Sequence, residues 1–234
     1  LEEYFATQRR FISNASHELS TPLTSISSQL QVTMQKDRSS QEYKHVLQSI
    51  QEDVEHMRQL TKSLLEIAKT GAQGGIELND LRIDELLVKV ITDTMRINSA
   101  YHIDLEFPEE LPQDERQCIV FGNADLLYSA LKNIIENGCK YSNDKRSLVR
   151  ISFTTKEIFI RVFNRGDIIN KDLAEQIFQP FFRGPNTRGN EGFGLGLPLA
   201  KRIIALHKGN ITVDSSIDGT EFIISIPSQN TSMF

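Results

Sequence analysis

Two long seams of apolar residues at seven-residue spacing constrain this chain more than any other feature. Phe5, Ile12, Leu19 and Ile26 stand seven apart, with Leu23 and Leu30 as a second row, inside residues 4–35. Residues 41–70 repeat the pattern with Ile50, Met57 and Leu64, supported by Val46, Val54, Leu60 and Ile67. A stripe sustained over about four heptads marks helices that pack along their length. Between the seams lies Lys36-Asp37-Arg38-Ser39-Ser40, where Ser39 or Ser40 is placed to cap the second helix. The expectation is an antiparallel helical hairpin. A lone hairpin cannot bury both seams, so pairing with a second copy through residues 4–70 into a four-helix bundle is its natural completion.

Gly71-Ala72-Gln73-Gly74-Gly75 ends the second helix and reads as a linker over 71–76. Beyond it the texture changes. A helix is expected over 84–97, strands over 101–107 and 117–121, and a long helix over 124–141. Val149–Thr155 and Ile158–Phe163 alternate as two strands across a short turn. A helix around 171–178, a polar loop to Glu191, a helix from about 195 to 207 and two terminal strands complete the pattern. The fold class is therefore α+β: the hairpin, then an α/β sandwich with one sheet covered by helices on one face. The divisions are a helical domain over 1–70, the linker, a second domain over 77–228 and a tail over 229–234.

With 234 residues, two domains can each hold a core. A net charge of −5 without a run of basic residues argues against a nucleic-acid binder. Cys118 and Cys139 are too few for a disulfide framework or a metal knuckle, and both read as buried thiols. No apolar run approaches the ~18 residues that span a bilayer, and there is no signal-peptide pattern. The chain opens without methionine, already inside an amphipathic pattern, and reads as a fragment of something longer.

Within the first helix, His17 has Ser13, Ser20, Thr21 and Thr24 around it at helical spacing, so no long side chain shields it. An open imidazole beside a carboxylate, Glu18, is suited to act as a nucleophile, although in isolation the pair would read as a surface accident. Pro22 removes the N–H that would bond the Glu18 carbonyl, so a bend is expected there.

Four motifs in the second domain converge on nucleotide chemistry. On the long helix, Asn133, Asn137, Lys140 and Tyr141 share a face. An amide oxygen of Asn137 suits a hydrated Mg²⁺, and Lys140 offers charge to phosphate. Gly192-Phe193-Gly194-Leu195-Gly196-Leu197-Pro198 runs into a helix, where close backbone approach and a positive helix end favour phosphate. No strand precedes it, which makes a Rossmann reading poor. Val162-Phe163-Asn164-Arg165-Gly166-Asp167 ends one strand, and Gly219-Thr220-Glu221-Phe222 opens the last. Between them lies Ile177-Phe178-Gln179-Pro180-Phe181-Phe182-Arg183, then a glycine- and asparagine-rich stretch from Gly184 to Glu191 with the character of a lid.

In this order and spacing the motifs resemble the catalytic core of bacterial sensor histidine kinases: a dimerisation and phosphotransfer hairpin followed by a GHKL-type ATP-binding domain. The resemblance covers roughly residues 4–227. It implies that His17 is the phospho-acceptor, Glu18 the residue that orients and deprotonates it, and Thr21 the one that places water for dephosphorylating the partner. It implies Asn137 as the Mg²⁺ ligand, Lys140 and Tyr141 at the ATP phosphates, and Gly192, Gly194 and Gly196 as lid hinge and phosphate loop with Leu195 and Leu197 between and after them. Phe178 and Phe181 would pack the lid, and Asn133, Asn164, Gly166, Arg183 and Thr220 complete the ATP site. The resemblance further implies a response-regulator receiver domain as partner, an N-terminal sensor region outside this chain, and the cytoplasmic portion of a membrane-anchored sensor.

Relatives that hydrolyse ATP in this superfamily carry a glutamate four residues before the Mg²⁺ asparagine. Here that position is Asn133, which is no general base at neutral pH, and this favours phosphotransfer over a clamp ATPase. At the first glycine box the usual aspartate is Asn164 and the usual second glycine is Ile168. The neutral amide is expected to weaken ATP binding by about 1–2 kcal/mol, and Ile168 to narrow the adenine pocket. A nucleotide-poor dimeric scaffold or phosphatase is the alternative reading. Gly138 replaces the usual alanine, with a softening of the helix by ~1 kcal/mol expected.

Overall fold

The computed structural model describes residues 2–69, 77–184 and 192–229, so the expected linker over 71–76 and most of the lid stretch lie outside the described residues. The chain divides into two units, Leu1–Lys69 and Thr70–Phe234.

The first unit is the helical hairpin: α1 (Glu2–Met34) and α2 (Ser40–Lys69). Ser39, rather than Ser40, closes the loop as a reciprocal cap. Its backbone N–H and hydroxyl each donate to Glu42 Oε2 at 2.8 Å, and Glu42 N–H donates back to Ser39 Oγ at 3.3 Å. These bonds, the Ser39 N–H first, hold the Glu42 carboxyl below its ordinary value. α1 runs on through Pro22. Leu60 and Ile67 are buried, while Ile12, Leu23, Leu30, Leu47, Val54 and Leu65 stay exposed. Ser25 and Gln29 of α1 both donate to Asp53 Oδ2 of α2, at 3.0 and 3.3 Å. This polar tie fixes the hairpin register where apolar contact is thin.

The second unit is built on a mixed five-stranded sheet in the order β2-β4-β5-β7-β6: β2 (His102–Glu106), β4 (Arg146–Phe153), β5 (Glu157–Asn164), β6 (Asn210–Ser216) and β7 (Gly219–Pro227). β2 pairs parallel to β4, and the other neighbours are antiparallel. Alternation at period two sends Val149, Ile151, Ile158, Ile160, Val162, Phe222, Ile224 and Ile226 to one buried face. Helices α3 (Ile83–Ile97), α4 (Ala124–Lys140) and α5 (Gly196–Leu206) cover that face with Leu87, Val90, Leu127, Leu131, Ile134, Ile135, Leu199 and Ile203. Each such side chain contributes about 1.5–3 kcal/mol on burial. The other face mixes Leu148, Phe159, Phe163 and Ile223 with charged residues, and there Arg150 bridges Glu106 at 2.7 Å and Glu221 at 3.6 Å.

Two expectations need correction. The expected helix around 171–178 is two single 3-10 turns, Lys171–Leu173 and Gln176–Phe178. A segment that short does not repay helix nucleation, and Pro180 forces Gln179 into extended backbone. A strand absent from the sequence reading, β1 (Asn79–Arg82), pairs antiparallel with β3 (Ile119–Gly122) as a small second sheet. Its four residues include Asn79 and Asp80, which carry no strand signal.

Gly138 has a stronger role than a softened helix. A Cβ there would stand 2.6 Å from Ser147 Oγ and 3.1 Å from Val162 Cγ1. Ser147 is buried and its hydroxyl is committed to the Phe163 carbonyl at 3.1 Å, so it cannot swing aside without losing that bond. The glycine therefore sets how closely α4 lies on β4 and β5. Gly138→Ala, which raises helix propensity, is expected to destabilise the unit by about 1–3 kcal/mol, seen as a lowered urea midpoint at unchanged slope.

Candidate functional site

His17 lies mid-helix in α1 with its side chain 81% exposed. The hydroxyls around it fold back on the helix: Ser16 donates to Ile12 O, Ser20 to Ser16 O, Thr21 to His17 O and Thr24 to Ser20 O, at 2.8 to 3.0 Å. Back-bonded hydroxyls neither cover the ring nor compete for it. Glu18 Oε1 stands 4.0 Å from Nδ1, which leaves Nε2 as the open nitrogen. Pro22, in the next turn, is buried.

In the second unit α4 forms one wall. Its amino end is capped by Asn123, whose Oδ1 accepts the Leu126 N–H at 3.0 Å. Asn133 donates to Ser129 O at 2.9 Å, and its Oδ1 lies 2.8 Å from where a Cβ on Gly196 would stand, at the start of α5. Lys140 Nζ is 3.3 Å from the corresponding position on Gly192 and 5.7 Å from the Tyr141 ring centroid. A cation and the open amino end of α5 thus converge on the glycine segment, a cradle that fits phosphate. Asn137, half-buried, makes no side-chain hydrogen bond among the described residues. Its free oxygen fits a metal held mainly by water and phosphate, and among the described residues no cluster of three acidic, histidine or cysteine ligands exists to hold one otherwise.

The phenylalanine segment is zipped to the glycine segment, for Phe181 N–H donates to Gly194 O at 3.0 Å. Phe181 adopts φ 65° and Gly194 φ 67°, and a side chain on Gly194 would meet Phe181 and Phe182 backbone. Lys201 Nζ sits 4.7 Å over the Phe178 ring. Leu195 is buried at the start of α5, Leu197 is half-buried and Arg183 exposed. At the other end of the wall, Asn164 and Thr220 pair across β5 and β7, both buried. Gly166 follows, packed against the Tyr141 carbonyl. Ile168 is half-exposed.

A residue absent from the sequence reading ties this arrangement together. His207, buried at the end of α5, accepts the Asn123 N–H on Nε2 at 3.0 Å. Its proton must therefore sit on Nδ1, which faces Ile203 O at 2.7 Å. Asn123 in turn donates to Glu77 O at 3.1 Å. One neutral imidazole thus locks the end of α5 to the start of α4. Burial holds its pKa below the ordinary 6.5, against the pull of the Ile203 carbonyl. A lone histidine at a helix end gives no sequence signal for this.

Two family models match the chain: the His Kinase A (phospho-acceptor) domain over residues 7–73, and the histidine kinase-, DNA gyrase B- and HSP90-like ATPase over residues 122–230. Heme sensor protein HssS of Staphylococcus haemolyticus is 33% identical over 95% of this chain and 48% of its own length. Sensor histidine kinase HprS of Escherichia coli is 30% identical over 97% of this chain and 49% of its own length. The histidine kinase ThkA, solved in complex with response regulator protein TrrA, superposes with a TM-score of 0.75 at 20% identity, over 99% of this chain and 65% of that one. The chain thus belongs to the histidine kinases and comprises their catalytic core, a phospho-acceptor domain followed by an ATPase-type domain. It spans about half the length of the curated relatives it matches. Among the described residues no helix is long and apolar enough to cross a membrane.

The His207 lock predicts a pH dependence. The unfolded chain takes up a proton below about pH 6.5 that the folded unit refuses, so stability falls as pH drops through that value. The urea midpoint should decline from about pH 7.5 to about pH 5.5, and His207→Gln, which keeps an acceptor but does not titrate, should flatten that decline.

Proposed function

We propose that the second unit binds Mg-ATP, that the γ-phosphoryl passes to His17, and that it moves on to an aspartate of a response-regulator receiver domain. The observation that carries the reading is the open Nε2 of His17, with Glu18 on the Nδ1 side. Nε2 forms a bond to the γ-phosphorus as the bond to the β,γ-bridging oxygen breaks and ADP leaves. Glu18 then takes the Nδ1 proton that the new imidazolium sheds. Lys140 and the start of α5 orient the phosphates, and positioning with charge neutralisation supplies most of the rate. Bound Mg²⁺ would add charge neutralisation at the phosphates, with Asn137 as its protein ligand. Asn133, where hydrolysing relatives have a base, leaves the γ-phosphoryl for transfer.

The exposed apolar residues of the hairpin support a homodimer closed into a four-helix bundle. The small hydroxyl residues around His17 leave room for a receiver domain, the class of partner bound by ThkA. Thr21 donates its proton to His17 O and keeps its lone pairs outward, a placement suited to holding a water against phospho-aspartate. On this reading the chain is the cytoplasmic portion of a membrane-anchored sensor.

Incubation with γ-labelled ATP should give acid-labile, alkali-stable label in the wild type and none in His17→Ala; label that persists in the variant overturns the assignment. Thr21→Ala should keep autophosphorylation and slow the loss of phosphate from the receiver, and equal loss of both activities overturns its separate role.

A further inference from the structure

Asn164 ends β5 on the helix-covered face of the sheet, beside Val162, which touches α4. The residue is 4% exposed, and its side-chain amide makes no hydrogen bond among the described residues. Its polar atoms are not among the fully enclosed unpaired ones, so the amide keeps an opening through which a partner from outside the chain can pair with it. Its strand neighbour Thr220 does not serve, because the Thr220 hydroxyl is engaged with Ser215 Oγ at 2.7 Å. Nδ2 lies 3.1 Å from the place a Cβ on Gly166 would occupy, a place the Tyr141 carbonyl already closes, so only glycine fits beside the amide. The cationic cradle at Lys140 and Gly192 takes the phosphates, and this neutral buried amide remains for the base.

We propose that Asn164 reads the six-membered edge of a purine without choosing between adenine and guanine, so that the site takes guanine as well as adenine nucleotides. The proposal rests on the nucleotide-binding reading above. Adenine presents an amino donor at N6 beside an acceptor at N1; guanine presents an acceptor at O6 beside a donor at N1. A carboxylate only accepts, so it suits the adenine N6 group and repels guanine O6. A carboxamide offers donor and acceptor in one plane. A half-turn of its broad terminal torsion exchanges them, and the same residue pairs either edge with two hydrogen bonds.

Calorimetry on the full chain with Mg²⁺ and the β,γ-imido analogues of ATP and GTP tests this. The two dissociation constants should lie within about tenfold of each other. Asn164→Asp should tighten the ATP analogue, weaken the GTP analogue and widen their ratio by more than about tenfold. ITP, which keeps O6 and N1–H but lacks the 2-amino group, needs no variant and should bind about as well as GTP. Binding of the ATP analogue alone overturns the inference and leaves the nucleotide site standing; binding of neither overturns both. An unchanged ratio in a folded Asn164→Asp, or GTP binding without ITP binding, removes Asn164 as the reader.

Discussion

The nucleotide-binding unit depends on how closely α4 approaches everything around it. Below, Gly138 lets the helix rest on Ser147 and Val162; above, Gly196 admits Asn133, and Gly192 lies against Lys140. At its far end the Tyr141 carbonyl meets Gly166. A methyl group at several of these points would collide, and packed interiors absorb such collisions poorly. One helix thus holds Asn137, Lys140 and the contacts that position both glycine segments. Its apolar underside (Leu131, Ile134, Ile135, Cys139) makes it rigid. Burial in that layer pushes the Cys139 thiol up to about 12, which leaves it a packing group rather than a reagent.

The helical unit obeys a different physics. It holds Leu60 and Ile67 in a thin interior and leaves Ile12, Leu23, Leu30, Leu47, Val54 and Leu65 exposed, so its apolar surface calls for a second copy. His17 is kept accessible by the same economy of side chains. Four hydroxyl bonds to i−4 carbonyls keep the neighbourhood of His17 low, and the Asp53 tie sets register at little cost in bulk. The two partners proposed for His17 in turn, a nucleotide and a receiver, require this openness.

The hairpin is legible in the sequence because heptad spacing is a long-range periodic signal that no single residue can obscure. The asparagine and glycine segments are legible because their chemistry is concentrated in a few positions. β1 is not, since its four residues hold to β3 by backbone pairing and carry no apolar alternation. The 171–178 segment misleads because local propensity ignores the backbone constraint that Pro180 imposes on Gln179. Gly138 and His207 escape for a shared reason: their roles are set by Ser147 and Asn123, which are distant in sequence and adjacent only after folding.

Two asparagines mark the two ends of this wall, and on the proposed reading their consequences separate. Asn133 packs against Gly196, and its amide is no general base. Its neutrality bears on what happens to the γ-phosphoryl. Asn164 is nearly buried and unpaired by any described neighbour, and in the role proposed for it neutrality bears on which nucleotide enters. On the proposed reading the first protects the reaction outcome. The second relaxes an input on which that outcome does not depend, because the groups at the phosphates (Lys140, the glycine segment and the start of α5) are the same for any purine triphosphate. Base recognition and phosphoryl transfer are thus separable functions of one wall, and a loss of charge at one end need not weaken catalysis at the other.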